Sequence, residues 1–266
     1  MSEGNTASEN SGKKGGSLAV PGAIVLAGVL IAGAVLFNAR SEKPSENSRI
    51  PAGEQQEEVL SAQQNPISVQ DLAGQIGLDM EAFTTCLDSG KYVPQIQADT
   101  GGAQEAGVSG TPSYFINGRL LVGAQPYSAF QAIIEEELSG ERSSEPEVNA
   151  PGYSDLDASL GDPEAPVKIV EFSEFLCPFC AASAGFRAED VQASLKSRDP
   201  NWEAALPAIK RDYIDTGKVF LAFRHFAVHG EEAVYLSGAS LCANEQGKFW
   251  ELHDALFANQ ANLVIE

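Results

Sequence analysis

Apolar and polar positions along this chain change pattern at a few sharp boundaries, and those boundaries divide it. Residues 1–17 are Ser, Gly, Asn, Glu and Lys with almost nothing apolar. That is too little to offset the entropy of ordering, and a disordered tail is expected. Leu18 to Phe37 is an unbroken run of 20 residues without charge. As a helix rising ~1.5 Å per residue it spans ~30 Å, the thickness of a bilayer core. It reads as a transmembrane anchor. A cleaved signal peptide is its rival, because Ala32-Gly33-Ala34 resembles a cleavage site; a buried core helix fits less well, because the run has no polar face. Residues 38–65, rich in Ser, Glu, Gln and Pro without periodicity, read as a linker.

Periodic structure is expected from Pro66. Ser68 can cap a short helix through Ile76, and Asp79 a second one through Phe83 and Leu87 to Gly90, which puts Cys86 on a helix. Lys91 to Ala106 is a weaker helix interrupted at Gly101-Gly102. Two short apolar runs flank Asn117-Gly118, the signature of a hairpin with a type I′ turn, and Pro112 stands at the first strand's start, where proline is tolerated. Tyr127, Phe130, Ile133, Ile134 and Leu138 recur at helical spacing. Residues 139–165 are Pro, Gly, Ser and acid, a second linker. Beyond it the pattern predicts strands at Val167–Phe172 and Val219–Arg224. Helices are expected through Ile209 and Tyr213 to Gly217, from about Glu231 to Asn244 with Cys242, and from about Lys248 to Ala258. A polar interruption falls around Ser197 to Asn201.

Candidate chemistry concentrates at Cys177-Pro178-Phe179-Cys180, directly after the first of those strands and at the start of an alanine-rich helix. A cysteine at a helix start faces unpaired backbone N–H groups and the positive end of the dipole. Both favour thiolate over thiol. Cys177 is therefore the expected nucleophile. Pro178 suits the first helical turn, and Cys180, three residues on, lies over the same face. Half of a zinc site and an inert bridge remain as rivals, although no second close pair of ligands is visible. Cys86 and Cys242 stand alone in sequence and could form a second bridge in an oxidising compartment. Glu171, at the strand's end, is either a proton relay beneath the cysteines or a solvated strand-edge carboxylate. His225 and His229 are four apart but follow a strand, so a metal pair is disfavoured and surface or capping roles are expected; His253 and Trp250 look like packing. The net charge of −20 speaks against nucleic acid as a partner.

The runs APVKIVEFSEFLCPFC, YIDTGKVFLAFRHF, GASLCANEQGKFWELHDALF, FTTCLDSGKY and GVSGTPSYFINGRLLVGAQPYSAFQAIIEEEL together resemble the DsbA-like branch of the thioredoxin superfamily, membrane-anchored thiol-disulfide oxidoreductases of bacteria and archaea. The order differs: in that family the Cys-x-x-Cys strand comes first and the Thr-Pro hairpin last. The resemblance implies an α/β thioredoxin fold with an inserted helical subdomain, circularly permuted behind an N-terminal transmembrane helix. Residues 166–266 would be the usual front half, 66–138 the usual back half, and 139–165 the joint. A scrambled tandem gene, with each half completed by a second chain, is the alternative.

Carried over by residue, the resemblance makes Cys177 the attacking thiolate, Cys180 the resolving thiol and Thr111-Pro112 the cis-proline loop that holds a substrate strand. Pro178 and Phe179 are the dipeptide that tunes the potential, and the family more often has His or Tyr where Phe179 stands. The implied helical subdomain places Cys86 and Cys242 on adjacent helices. Ala181 to Leu206 looks like a surface insertion. Expected are a single-pass protein of the cell membrane with its domain outside the cytoplasm, reduced or unfolded secreted substrates, a redox partner that resets the disulfide, and no cofactor or metal. The alternative is a peptide-binding module with a structural cysteine pair.

Overall fold

The computed structural model describes residues 65–141, 151–186 and 189–265. In chain order the strands are β1 (Ile67–Ser68), β2 (Ser113–Ile116), β3 (Arg119–Val122), β4 (Ala158–Leu160), β5 (Val167–Ser173), β6 (Val219–His225) and β7 (Leu263–Val264). The helices are α1 (Val69–Gln75), α2 (Met80–Asp88), α3 (Val93–Glu105), α4 (Tyr127–Ser139), α5 (Pro178–Ser183), α6 (Glu189–Arg198), α7 (Ala205–Ile209), α8 (Glu231–Asn244) and α9 (Phe249–Ala258).

Five strands form one mixed sheet in the order β3-β2-β5-β6-β4. The continuous apolar runs of β5 and β6 become its buried centre, parallel to each other from Val167↔Val219 to Ser173↔His225. Strand β2 pairs antiparallel on the other side of β5, from Ser113↔Phe172 to Ile116↔Ile169. The two parts of the chain that flank residues 142–150 therefore share one sheet. Alternation along β5 sends Val167 and Ile169 into a core with Ile116, Phe130, Ile134 and Leu256, while Val170 and Phe172 meet Ala103, Phe115 and Phe226 on the opposite face. Phe130 is fully buried with its ring edge-on to Tyr114 at 4.7 Å between centroids. Truncating such a ring costs about 3–5 kcal/mol.

Local signals are honoured where they are strong. Ser68 accepts from Asp71 N and Asp71 reaches back to Ser68, a reciprocal cap on α1, and Asp79 caps α2. Asn117 and Gly118 have φ of 46° and 89°, the left-handed pair of a type I′ turn. The Asn117 carboxamide oxygen also accepts from Lys168 N at 2.8 Å, fixing the hairpin tip to the start of β5.

Four expectations need correction. Helix α3 runs unbroken through Gly101-Gly102, because burial of Ile96 and Ala103, with Asp99 paired to Arg224, outweighs a glycine cost of about 1 kcal/mol each. The supposed linker 139–165 contains β4, which closes the sheet edge on β6 with a three-residue pattern too short for periodicity to reveal. The chain leaves β4 through Gly161, φ 89°, where a Cβ would lie 2.4 Å from the Val219 carbonyl, so only glycine fits. The helix expected through Ile209 and Tyr213 changes to a π-helical turn at Lys210–Ile214. The polar stretch near Ser197 belongs partly to α6. The anchor Leu18 to Phe37, the tail and the linker 38–65 lie outside the described residues, apart from Asn65. No helix among the described residues is long and apolar enough to cross a membrane.

Candidate active site

Strand β5 delivers the chain to Cys177, which is the N-cap of α5 with extended backbone, φ −76° and ψ 118°. Pro178 occupies the first helical position, where a missing N–H leaves nothing unpaired. Cys177 is 4% exposed, Cys180 is fully buried, and both are free thiols. The Cys180 thiol is the largest influence on Cys177; burial opposes it, and Thr111 and the backbone N–H groups of Cys180 and Phe179 add to it, lowering Cys177 to about 6. Burial pushes Cys180 the other way, well above the ordinary thiol range. The pair is thus split into one thiolate-prone and one proton-retaining sulfur.

The hairpin brings Thr111-Pro112, a cis peptide, to the same place. The Cys177 thiol donates to the Thr111 carbonyl at 3.5 Å, although 66 residues separate them. Pro112 thus meets the cysteine through the residue before it, and its own carbonyl accepts from Gly123 N at 2.7 Å. A groove of about 410 Å³ opens from Thr111, lined by Gly123 to Pro126 on one side and by Phe179, Leu195 and Trp202 on the other. Phe179 is 38% exposed at the rim of this groove. Ala181 to Leu206 is not merely a surface insertion: Trp202 is buried, and its indole N–H donates to the Ala124 carbonyl at 3.0 Å.

Beneath α5, Glu171 is 1% exposed on the central strand, not a solvated edge. Burial raises it to about 7, against the pull of the Ser173 and Tyr114 hydroxyls. The Tyr114 hydroxyl lies 3.4 Å from Glu171 and 2.7 Å from Ser183, one turn beyond Cys180. Cys86 and Cys242 form a disulfide between α2 and α8, with Cα atoms 5.8 Å apart.

The histidines separate. His225 is buried, not at the surface, and burial lowers it to about 3, so it is neutral. His229 pairs with the buried Glu174, whose carboxylate also accepts from Val228 N and His229 N at 3.0 and 3.3 Å. His253 and Trp250 pack in an aromatic cluster with Phe223 and Phe249. Among the described residues, no group of three or more His, Cys, Asp or Glu is placed to hold a metal ion.

Sequence reasoning passed over several residues around the site. Gln260 donates to the carbonyls of Phe175 and Cys177 at 2.7 and 3.1 Å and so fixes the approach to the nucleophile. Glu174 ties the loop after β6 to the loop before Cys177. A glutamine beyond a helix carries no signal by itself; an acid three residues before a cysteine motif was the available hint for Glu174.

Comparison with known proteins finds similarity in both parts of the chain. The model for a DSBA-like thioredoxin domain matches residues 55–135, and a thioredoxin model matches 154–194 and 200–266. A probable disulfide bond formation protein D of Bacillus cereus is 35% identical over 104 residues, 38% of this chain and 40% of that protein. Disulfide bond formation protein D of Bacillus subtilis is 28% identical over 103 residues, 38% of either chain. Among solved structures, alpha-DsbA1 of Wolbachia pipientis is 28% identical, with a TM-score of 0.30 over 41% of this chain and 45% of that one. The chain spans about two fifths of the length of the curated relatives it matches.

Proposed function

We propose that the chain is a thiol-disulfide oxidoreductase of the DsbA-like branch of the thioredoxin superfamily that forms or exchanges disulfides in reduced secreted proteins through Cys177, a reading supported by the family models and relatives it matches. The observation that carries this reading is the split of the cysteine pair, with Cys177 lowered to about 6 at the helix start and against the Thr111 carbonyl.

In the oxidised state a substrate thiolate attacks the Cys177 sulfur, the Cys177–Cys180 bond breaks, and its electron pair remains on Cys180, which takes up a proton. A second substrate thiolate then attacks the substrate sulfur of the mixed disulfide, and Cys177 leaves as a thiolate, for which a low pKa suits it. The substrate is oxidised by two electrons and the cysteine pair reduced by two. A redox partner of the thiol-disulfide class resets the pair. The groove beside Thr111-Pro112 receives the substrate strand, Pro178 and Phe179 tune the potential, and Glu171 serves the proton transfer.

Residues 18–37 anchor the chain in the cell membrane with the domain outside the cytoplasm. Relative to the family order the chain is a circular permutant, supported by the two family models falling with the DSBA-like one first and by both segments contributing to one sheet. The test is to mix the oxidised protein with a reduced two-cysteine peptide. Wild type forms the peptide disulfide and Cys177→Ser does not; equal turnover by both defeats the assignment. A protein that binds the peptide in the groove but exchanges no disulfide is instead a peptide-binding module with a structural cysteine pair.

A further inference from the structure

We propose that Gln260 is a positioning residue of the disulfide exchange: its carboxamide holds the chain on both sides of Leu176, keeps Cys177 in its helix-start geometry, and so sets the potential of the cysteine pair. The inference deepens the exchange reading above and rests on it. It starts from two hydrogen bonds that one nitrogen makes across 85 and 83 residues, to the carbonyl of Phe175 at 2.7 Å and to that of Cys177 at 3.1 Å. A primary amide carries two hydrogens, one for each carbonyl, and among uncharged side chains only glutamine and asparagine offer that pair.

Both ends of this clamp are fixed. Gln260 lies in the turn between α9 and β7. Before it, Asn259 Nδ2 donates to the Ala255 carbonyl at 2.8 Å; after it, the Asn262 carbonyl accepts from Ile67 N at 3.0 Å where β7 runs beside β1. The loop that Gln260 reaches leaves β5 at Ser173 and enters α5 at Pro178. Phe175 packs its ring against Phe257 of α9, 5.1 Å between centroids, so α9 and the turn after it hold both the side chain and the carbonyl of this residue. Glu174, one residue earlier, is held separately by the N–H groups of Val228 and His229.

The consequence follows from which carbonyls are held. The Cys177 carbonyl also accepts from Cys180 N and Ala181 N at 3.1 and 3.2 Å, the first bonds of α5. With Phe175 and Cys177 both tied to one carboxamide, the extended backbone of Cys177, ψ 118°, cannot rotate without breaking a bond. The same donor draws negative charge on the Cys177 carbonyl away from the sulfur of its own residue. Left bare, that oxygen would oppose a thiolate. A stabilised thiolate favours the reduced pair, which makes the disulfide a stronger oxidant. Gln260 therefore acts through the backbone rather than on the sulfur itself.

The test uses the whole protein carrying Gln260→Met, Gln260→Ala or Asn259→Ala. Methionine keeps the length of glutamine without a donor, whereas N259A removes the neighbouring bond to α9 and leaves the clamp intact. Two quantities are read: the pH midpoint for alkylation of reduced Cys177 by iodoacetamide, and the equilibrium of the cysteine pair with glutathione at pH 8. One hydrogen bond is worth up to about one pKa unit, so Q260M and Q260A should each raise the midpoint by about 0.5–1 unit and shift the equilibrium about 3- to 10-fold toward the disulfide. N259A should lower the melting temperature with both readouts at wild-type values. A folded Q260M or Q260A protein with wild-type midpoint and equilibrium overturns the proposal. So does an N259A protein that shifts both as far as Q260M, since the stability of the turn rather than the donor would then set the thiolate. A wild-type protein that exchanges no disulfide with glutathione overturns the exchange reading instead.

Discussion

The split between the two cysteine pKa values must appear in stability as well as in reactivity. Cys177 falls from an ordinary thiol value of 9.0 to about 6 in the folded chain. A thiol is an acid whose folded value is depressed here. Its contribution to stability is complete above the unfolded value and is lost as pH falls through the folded one. Between pH 6 and 9 the folded reduced chain binds one proton fewer than the unfolded chain, so its stability should rise with pH by about 4 kcal/mol over that window. Above pH 9 the trend reverses, because Cys180 keeps its proton when folded and loses it when unfolded. Glu171 is raised, from 4.5 to about 7, and acts oppositely: its contribution is complete below 4.5 and lost as pH rises through 7. It does so in both redox states and drops out of the difference between them. The assay is urea unfolding of the reduced and the oxidised protein across pH 5 to 9, with the reduced-minus-oxidised difference plotted against pH. A flat difference would refute the thiolate argument. Removing the largest influence by Cys180→Ala should raise the Cys177 pKa and shrink the slope.

Other consequences are equally direct. The Cys86–Cys242 bridge closes 156 residues, and in the chain-entropy model such a loop is worth about 5 kcal/mol; replacing both by Ala should lower the unfolding free energy by up to that amount, and no loss would show that the unfolded chain is not constrained by the bond. Residues 166–266 expressed alone should not fold stably, since β5 loses its β2 partner and the cover of α4; a folded, monomeric, redox-active fragment would contradict the shared sheet. Trp202→Ala should cost about 3–5 kcal/mol by opening a cavity behind the groove, read by thermal unfolding, and a neutral result would return Ala181 to Leu206 to the status of a loose insertion.

How much of this was legible in the chain differs by residue, for physical reasons. Cys177, Cys180 and the Asn117-Gly118 turn were readable because each depends on local chemistry: a helix start, an i to i+3 spacing, and two left-handed positions. The continuous apolar runs of β5 and β6 announced a buried centre. Strand β4 was hidden, because three residues at a sheet edge are fixed by β6 and by Gly161 rather than by their own pattern. The burial of Glu171 was left open for the same reason: a carboxylate in an apolar run is ambiguous until the covering helices are known. Trp202 and Gln260 act through contacts that span the sequence, and no spacing points to them; for Glu174 the one hint was its place three residues before Cys177.

The central claim is that Cys177 is the sulfur that bonds to substrate. It is tested most directly with Cys180→Ser, which removes the resolving thiol, incubated with a peptide carrying an activated disulfide and analysed by mass spectrometry of the digested adduct. The account predicts a stable mixed disulfide located on Cys177, forming more slowly as pH falls and the thiolate is protonated, and no adduct when Cys177 is also replaced by Ser. An adduct on another residue, or no adduct at any pH, would contradict it.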